Sequence, residues 1–281
     1  MTAIRGSATV RGRLLLVPNV LDQSLLGPVA PGGEGADVLD SLPLGVLRLA
    51  AGLRHWVAET PKVARAFLKR VDGVVALAQP LQDLVIAELP RANKGRPGVP
   101  PAATAQGDAG QDPWAGLLAP ALAGHDIGLL SDAGLPAVAD PGAELVRAAH
   151  RAGLVVVPLA GPSSLLLALA ASGLNGQSFA FQGYLPVPAD ERGRRIQELE
   201  GQSRRWKQTQ LCIETPYRNM ALLDALLAGL QPQTLLSVSS GLTSAAGWSR
   251  TASVQQWRQQ LAVWGGGISA HMPAVFAFLA T

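Results

Sequence analysis

The fold is decided by the stretch Leu129-Leu130-Ser131-Asp132-Ala133-Gly134-Leu135-Pro136-Ala137-Val138-Ala139-Asp140-Pro141-Gly142. Residues 126–130 are mostly apolar and predict a strand that runs into a loop of small residues. Asp140 and Pro141 then predict the start of a helix, with Asp140 as the N-cap and Pro141 at the first helical position. We expect this helix to stop at Gly153, because glycine tolerates the left-handed conformation that ends many helices.

The same pattern repeats directly downstream. Residues 154–159 form a continuous apolar run, which predicts a strand buried on both faces. Residues 160–164 give a second loop of small residues, and Pro162 can open another helix that ends near Gly173. This repetition of strand, loop and helix predicts a parallel sheet with right-handed crossovers. Ligands of such sheets bind beyond the carboxyl ends of the strands, where both loops fall.

Length and composition predict an α/β protein with two domains. The chain has 281 residues, of which 48% are hydrophobic and 15% charged, and this length allows two domains of ordinary size. We predict an N-terminal α/β domain over 1–160 with a mostly parallel sheet and a C-terminal α/β domain over 161–281 with a mixed sheet. The ligand cleft is expected between them.

Residue usage predicts a cytoplasmic protein without a metal site or a membrane span. Cys212 is the single cysteine, so an internal disulfide is impossible and a reducing compartment is the simplest setting. The four histidines show no ligand spacing. The longest apolar run, 165–171, is far shorter than the roughly 20 residues that cross a bilayer. The net charge of +3 permits nucleic-acid binding without requiring it.

Local patterns predict the remaining elements. Before the central loop we expect strands at 14–17, 55–58 and 74–77, helices at 41–51 and 114–122, and a mobile loop at 91–113. Beyond Gly173 we expect strands at 178–184, 210–213, 235–239, 246–249 and 273–279, and helices at 190–207, 217–228 and 253–264.

Two predicted helices are rich in basic residues. The first carries Lys62, Arg65 and Lys69 on one face. The second contains Arg192, Arg194, Arg195, Arg204, Arg205 and Lys207 among glutamates. A solvated surface is the simplest interpretation of both, and contact with a phosphate backbone is the alternative.

The loops favour a ligand site formed by backbone amides and carboxylates. The sequence contains no dinucleotide fingerprint, no P-loop and no nucleophile elbow. Small loop residues let the backbone approach a ligand closely, and free amides at helix starts can bind a carboxylate, which suits a nucleoside with an amino-acid tail. Asp132 is either a ligand contact or a carboxylate that bonds its own backbone. Glu59 and Glu214 are either ligand contacts or neighbours of helix caps.

Ordered motifs along the chain resemble the S-adenosylmethionine-dependent tetrapyrrole methylase superfamily (class III methyltransferases). More narrowly, the chain resembles the branch that holds ribosomal RNA small subunit methyltransferase I, and the resemblance runs from residue 14 to residue 279. The motifs that carry it are SDAG at 131–134, DPG at 140–142, PLAGPSS at 158–164, SGL at 172–174, FQGYLP at 181–186 and ETPYRN at 214–219.

The resemblance implies a two-domain homodimer that binds S-adenosyl-L-methionine in the interdomain cleft. Carried over by motif, the cofactor contacts are Pro18, Asp132, Ala133, Gly134, Ala137, Ser163, Ser164, Glu214 and Thr215. Methyl transfer mainly requires alignment of donor and acceptor, because the sulfonium leaves as a neutral thioether. A ribose hydroxyl acceptor would also benefit from a base, and Glu59 is the candidate.

Departures from the superfamily pattern favour RNA as the acceptor. Tetrapyrrole methylases have a glycine-rich first loop, whereas residues 17–22 are VPNVLD, closer to the ribosomal RNA branch. Leu135, Glu59-Thr60 and residues 89–94 depart in turn from that branch, so we expect a neighbouring subgroup. The predicted substrate is small-subunit ribosomal RNA, at a ribose 2'-hydroxyl. The alternatives are a tetrapyrrole (precorrin-like) methyltransferase and a non-catalytic protein that binds the cofactor or RNA.

Overall fold

The computed structural model describes residues 10–22, 38–90 and 113–281. The chain divides into two compact units, Met1–Pro162 and Ser163–Thr281. The predicted loop at 91–113 lies almost entirely outside the described residues, as does the first loop beyond residue 22. Among the described residues, no helix is long and apolar enough to cross a membrane.

Unit 1 contains a parallel sheet, as predicted. Its described strands are β1 (Arg13–Val17), β2 (His55–Ala58), β3 (Val85–Glu88), β4 (Ile127–Leu130) and β5 (Val155–Pro158), in the order β3-β2-β4-β1-β5. Its described α-helices are α1 (Leu44–Ala51), α2 (Pro61–Asp72), α3 (Pro113–Leu122) and α4 (Ala143–Arg151). Strand β1 pairs with β4 and β5, and its alternating side chains enter two cores. Leu15 and Val17 join one core and Leu14 the other, which explains the apolar run at 14–17.

Unit 2 contains a mixed sheet, also as predicted. Its elements are α5 (Ser164–Ser172), β6 (Phe179–Tyr184), α6 (Ala189–Trp206), β7 (Thr209–Glu214), α7 (Asn219–Gly229), β8 (Leu235–Ser240), β9 (Trp248–Ser253), α8 (Val254–Trp264) and β10 (Ala274–Leu279). The strand order is β6-β7-β10-β8-β9, and only β6 and β7 are parallel neighbours. Phe276 packs in the core that also receives α6, α7 and α8, whereas Val275 packs with α5.

The prediction of a strand at 74–77 is wrong. This segment forms a turn after α2, because the backbone N–H of Val75 donates to the carbonyl of Val71 (2.7 Å) and that of Leu77 donates to Asp72 Oδ1 (3.0 Å). Its apolar side chains pack against the core instead. The third strand is β3, which pairs with β2.

Two other strand predictions need correction. The run at 154–159 is not buried on both faces, because β5 lies at the edge of the sheet with β1 as its neighbour and Val155 is 61% exposed. The strand expected at 246–249 lies later in the chain, as β9, where Trp248 to Ser253 pair with β8.

Several helices begin later than predicted, and α4 and α5 change the role of a predicted cap or first-turn residue. Helix α4 begins at Ala143, because Gly142 directly before it adopts a φ of 126°. Asp140 is therefore not its N-cap. Helix α5 begins at Ser164 with Ser163 in the N-cap position, so Pro162 lies outside the helix.

The packing of β4 against Trp56 gives a test of the first core. A methyl group on Gly128 would lie 2.7 Å from two ring atoms of Trp56 and 2.9 Å from Leu53 Cδ1. We expect Gly128→Ala to lower the free energy of unfolding by about 1–3 kcal/mol, because the buried ring has to move. Urea denaturation measures this change.

The matched control is Gly116→Ala in α3, where no atom lies within 4 Å of the added methyl group. It should leave stability unchanged or raise it by about 0.5–1 kcal/mol, since alanine is the better helix former. Equal effects of the two substitutions would contradict the packing described for β4.

Candidate active site

The parallel sheet of unit 1 gathers several predicted site residues at one edge. Pro18 follows β1, Glu59 follows β2, and Asp132 lies two residues beyond β4. Parallel strands end on the same side of a sheet, and the backbone N–H of Glu59 donates to the carbonyl of Leu130 (3.1 Å). The sheet therefore brings Pro18, Glu59 and Asp132 to its carboxyl edge.

A buried amide joins the first loop to the central loop. The side chain of Asn19 is completely buried, and its Nδ2 donates to the carbonyls of Ser131 (3.1 Å) and Asp132 (3.0 Å). The backbones of Asn19 and Gly134 also exchange hydrogen bonds of 2.9 and 3.2 Å. Buried carbonyls require partners, so Asn19 fixes the position of the central loop. Sequence reasoning did not assign it a role, although it directly follows Pro18.

Two carboxylates of the site are tied to one another through the backbone. The N–H of Asp132 donates to Glu59 Oε2 (3.1 Å), and the hydroxyl of Thr60 donates to Asp132 Oδ2 (2.8 Å). Thr60 occupies the N-cap position of α2, yet its side chain makes no capping bond, since the hydroxyl points to Asp132. Glu59 and Asp132 are thus held in fixed orientations.

Asp140 is a third carboxyl group at this edge, which sequence reasoning treated as a helix cap. Burial, followed by the charges of Glu59 and Asp132, raises the pKa of Asp140 to about 7. Burial also raises the pKa of Glu59, and the charge of Asp132 adds to that effect while the Asp132 N–H opposes it. The sequence signal was an aspartate in a loop of small residues close to Asp132. No metal-binding group of three histidine, cysteine or acidic side chains occurs within the described part of the chain.

The small residues of the central loop permit an unusual backbone. Gly134, Ala137 and Ala139 have positive φ angles of 68°, 66° and 62°, a region that larger side chains rarely adopt. The second loop of small residues lies close to the loop after β1, because a methyl group on Gly161 would lie 2.2 Å from Pro18 Cβ. Backbone, rather than bulky side chains, therefore forms much of this edge.

Ser131 contributes a polar atom without a partner. The residue is 1% exposed, and its Oγ makes no hydrogen bond to any described residue. A buried hydroxyl in this state retains the capacity to donate one hydrogen bond and accept others.

The predicted residues of unit 2 lie in two places. Ser163 and Ser164 lie at the start of α5, and Glu214 and Thr215 at the end of β7. Glu214 is buried, and its Oε1 accepts from the Thr215 N–H (2.7 Å) and from Nη2 of Arg218 (2.7 Å). Sequence reasoning quoted Arg218 within a motif but gave it no role.

Comparison with known proteins supports the resemblance found in the motifs. No protein-family model matches the chain. The chain is 39% identical over 127 residues to ribosomal RNA small subunit methyltransferase I of Synechocystis sp., which covers 45% of this chain and 44% of that protein. It is 42% identical over 106 residues to the protein of the same name from Vibrio cholerae, covering 38% and 35%. The predicted resemblance is confirmed. The matches span less than half the length of these relatives.

Solved structures show the fold. The crystal structure of uroporphyrin-III-C-methyltransferase from Thermus thermophilus has a TM-score of 0.50 and 20% identity, covering 96% of this chain and 94% of that one. The methyltransferase CobJ has a TM-score of 0.53 and 15% identity, covering 96% and 95%. These likenesses confirm the predicted α/β fold class.

The pKa of Asp140 gives a test of the carboxylate arrangement. Native Asp140 keeps its proton up to about pH 7, whereas the unfolded residue loses it near 3.8. Between these values the native state binds more protons, so stability falls as pH rises. We expect Asp140→Asn to remove this fall, which is on the order of 1–2 kcal/mol between pH 5 and 8 because solvent reaches part of the carboxyl.

Urea denaturation at pH 5 and pH 8 measures the difference. Asp126→Asn is the control, since the salt bridge with Arg13 (2.6 Å) lowers the pKa of Asp126 and keeps its carboxylate ionised at both pH values. An Asp140→Asn protein with the pH dependence of the wild type would show that Asp140 ionises normally.

Proposed function

We propose that the chain is a methyltransferase that uses S-adenosyl-L-methionine to methylate a ribose 2'-hydroxyl of small-subunit ribosomal RNA. The observation that carries the proposal is the similarity to curated ribosomal RNA small subunit methyltransferase I proteins. The motifs at 131–142 and 158–164 support it, because the same loops lie at the carboxyl ends of β4 and β5. A cytoplasmic homodimer is part of this proposal.

The chemistry of the carboxyl edge fits a positively charged donor. Glu59, Asp132 and Asp140 supply acidic groups that favour a sulfonium and an ammonium group nearby. A bound cation would lower the pKa of Asp140 and ionise it. The unpartnered hydroxyl of Ser131 can add a hydrogen bond.

The proposed cofactor contacts follow from this edge. In unit 1 they are Pro18, Asp132, Ala133, Gly134 and Ala137. The contacts in unit 2, at Ser163, Ser164, Glu214 and Thr215, are proposed from the resemblance alone.

When bound, the cofactor would supply an activated methyl group, and the protein would align donor and acceptor and provide a base. The ribose oxygen forms a bond to the methyl carbon as the carbon–sulfur bond breaks, and the hydroxyl proton has to leave. Glu59 is the proposed acceptor of that proton. Its raised pKa makes the Glu59 carboxylate a stronger base, and the Asp132 N–H holds its Oε2 in place.

Asp132→Ala tests the donor site. We expect the affinity for S-adenosyl-L-methionine in calorimetry to fall about 10- to 100-fold, because a charge-assisted contact is lost, while circular dichroism stays unchanged. Asp126→Ala, at the opposite end of β4, is the matched control and should bind as the wild type does. Unchanged affinity in Asp132→Ala would assign Asp132 a structural role, and a wild type that does not bind the cofactor at millimolar concentration would refute the methyltransferase proposal.

Glu59→Gln tests the base. Glutamine can still accept the Asp132 N–H, so we expect cofactor affinity to change little while kcat for labelled-methyl transfer into small ribosomal subunits falls about 100-fold or more. Glu144→Gln, which removes a surface carboxylate paired with Arg147 on α4, should leave kcat unchanged. An undiminished kcat in Glu59→Gln would mean that Glu59 only holds the central loop.

A further inference from the structure

Both tyrosines of the chain are exposed at one edge of the sheet in unit 2. The sequence contains two tyrosines, and the exposed fractions of Tyr184 and Tyr217 are 55% and 73%. Tyr184 is the last residue of β6 and lies opposite Ile213 of the parallel strand β7. Tyr217 follows three residues after Glu214, which ends β7. Aromatic rings concentrated at one exposed edge are typical of a binding surface.

An arginine lies at the same end of the sheet as the two tyrosines. The guanidinium carbon of Arg218 lies 5.6 Å from the centre of the Tyr217 ring, within the range of a cation–π contact. The hydrogen bond to Glu214 raises the pKa of Arg218, and Tyr217 and Tyr184 add smaller effects in the same direction. Tyr184 lies beside Ile213, the neighbour of the Glu214 that pairs with Arg218, so Arg218 and both tyrosines lie at the same ends of β6 and β7. We call Tyr184, Tyr217 and Arg218 the Tyr–Arg platform.

Hydrogen bonds fix Arg218 and strand β6, which carry the platform. Arg218 is fixed by Nη2 donating to Glu214 Oε1 (2.7 Å) and by Nε donating to Thr215 Oγ1 (3.2 Å). Strand β6 is fixed to β7 by Gln182 Nε2, which donates to Gln210 Oε1 (2.6 Å). A rigid aromatic surface loses little conformational entropy when a flat ligand stacks on it.

Basic residues lie in the part of α6 next to β6, where Arg195 also forms an ion pair with Glu198 (3.1 Å). Arg195 of α6 donates through Nη2 to Gln182 Oε1 on β6 (3.0 Å), which places the first half of α6 beside this strand. Arg192 and Arg194 belong to the same half of the helix.

We propose that the Tyr–Arg platform stacks an unpaired base of the RNA acceptor, with the arginines in the first half of α6 beside its phosphates. This inference rests on the proposed function, because it specifies how the acceptor is recognised. Single-stranded RNA exposes base faces that stack on aromatic rings and on guanidinium planes, whereas a duplex hides them. The platform therefore selects an RNA segment whose bases are unpaired, such as a loop or a bulge.

Fluorescence anisotropy of the full chain with a short labelled single-stranded oligoribonucleotide tests the platform. We expect Tyr217→Ala and Tyr184→Ala each to weaken binding about 5- to 150-fold, the range for loss of one base–aromatic stack. Tyr217→Phe should bind as the wild type does, whereas Tyr217→Leu should bind as Tyr217→Ala does. Binding of the same oligonucleotide annealed to its complement should not change.

The matched control is Trp206→Ala. Trp206 is 54% exposed and lies 5.9 Å from the guanidinium carbon of Arg205, but it precedes β7 and so lies at the opposite end of that strand. Its removal should leave the RNA affinity unchanged. Tyrosine variants that bind RNA as tightly as the wild type would overturn the platform. So would a Trp206→Ala variant that loses as much RNA affinity as the tyrosine variants. A wild type that binds no single-stranded RNA would also overturn it.

Calorimetry with S-adenosyl-L-methionine on the same proteins separates this inference from the proposed function. If the wild type binds the cofactor and the tyrosine substitutions leave the RNA affinity unchanged, the platform is overturned and the methyltransferase proposal is not. Tyrosine-dependent RNA binding without cofactor binding supports the platform and contradicts the methyltransferase proposal.

Discussion

The arrangement of the candidate site depends on the buried side-chain amide of Asn19. Its two hydrogen bonds to the carbonyls of Ser131 and Asp132 fix the loop after β4 against the loop after β1. A buried carbonyl left unpaired costs about 1–3 kcal/mol, so the loop has little freedom to move away. The contacts of Asp132 with Glu59 and Thr60 require this fixed position.

The fixed loop gives the site its electrostatic character. Burial raises the pKa of Asp140 to about 7, and the nearby charges of Glu59 and Asp132 add to that effect. Like charges at short range disfavour ionisation, and a cation relieves that cost. These three carboxyl groups are the reason for proposing a positively charged donor at this end of the sheet.

Local patterns predicted much of the fold, and long-range contacts explain the failures. The strand at 55–58 and the helix that carries Lys62, Arg65 and Lys69 are confirmed, because periodicity and turn residues encode them. The apolar residues at 74–77 gave a false strand because they pack beside a turn, and only pairing with β2 identifies β3. The resemblance is confirmed, while the site residues and the border at 160 stay predictions. The sequence did not predict the roles of Asp140 and Asn19 in the site, because both roles depend on burial in the folded chain, which cannot be seen in a motif.

The methyl acceptor can be identified in a single assay. Methyl-labelled S-adenosyl-L-methionine is supplied with the protein to small ribosomal subunits, total RNA and precorrin-like macrocycles in parallel. We expect label in ribosomal RNA of the small subunit, at a ribose 2'-hydroxyl. Label in the macrocycle alone, or in none of the acceptors, would contradict it.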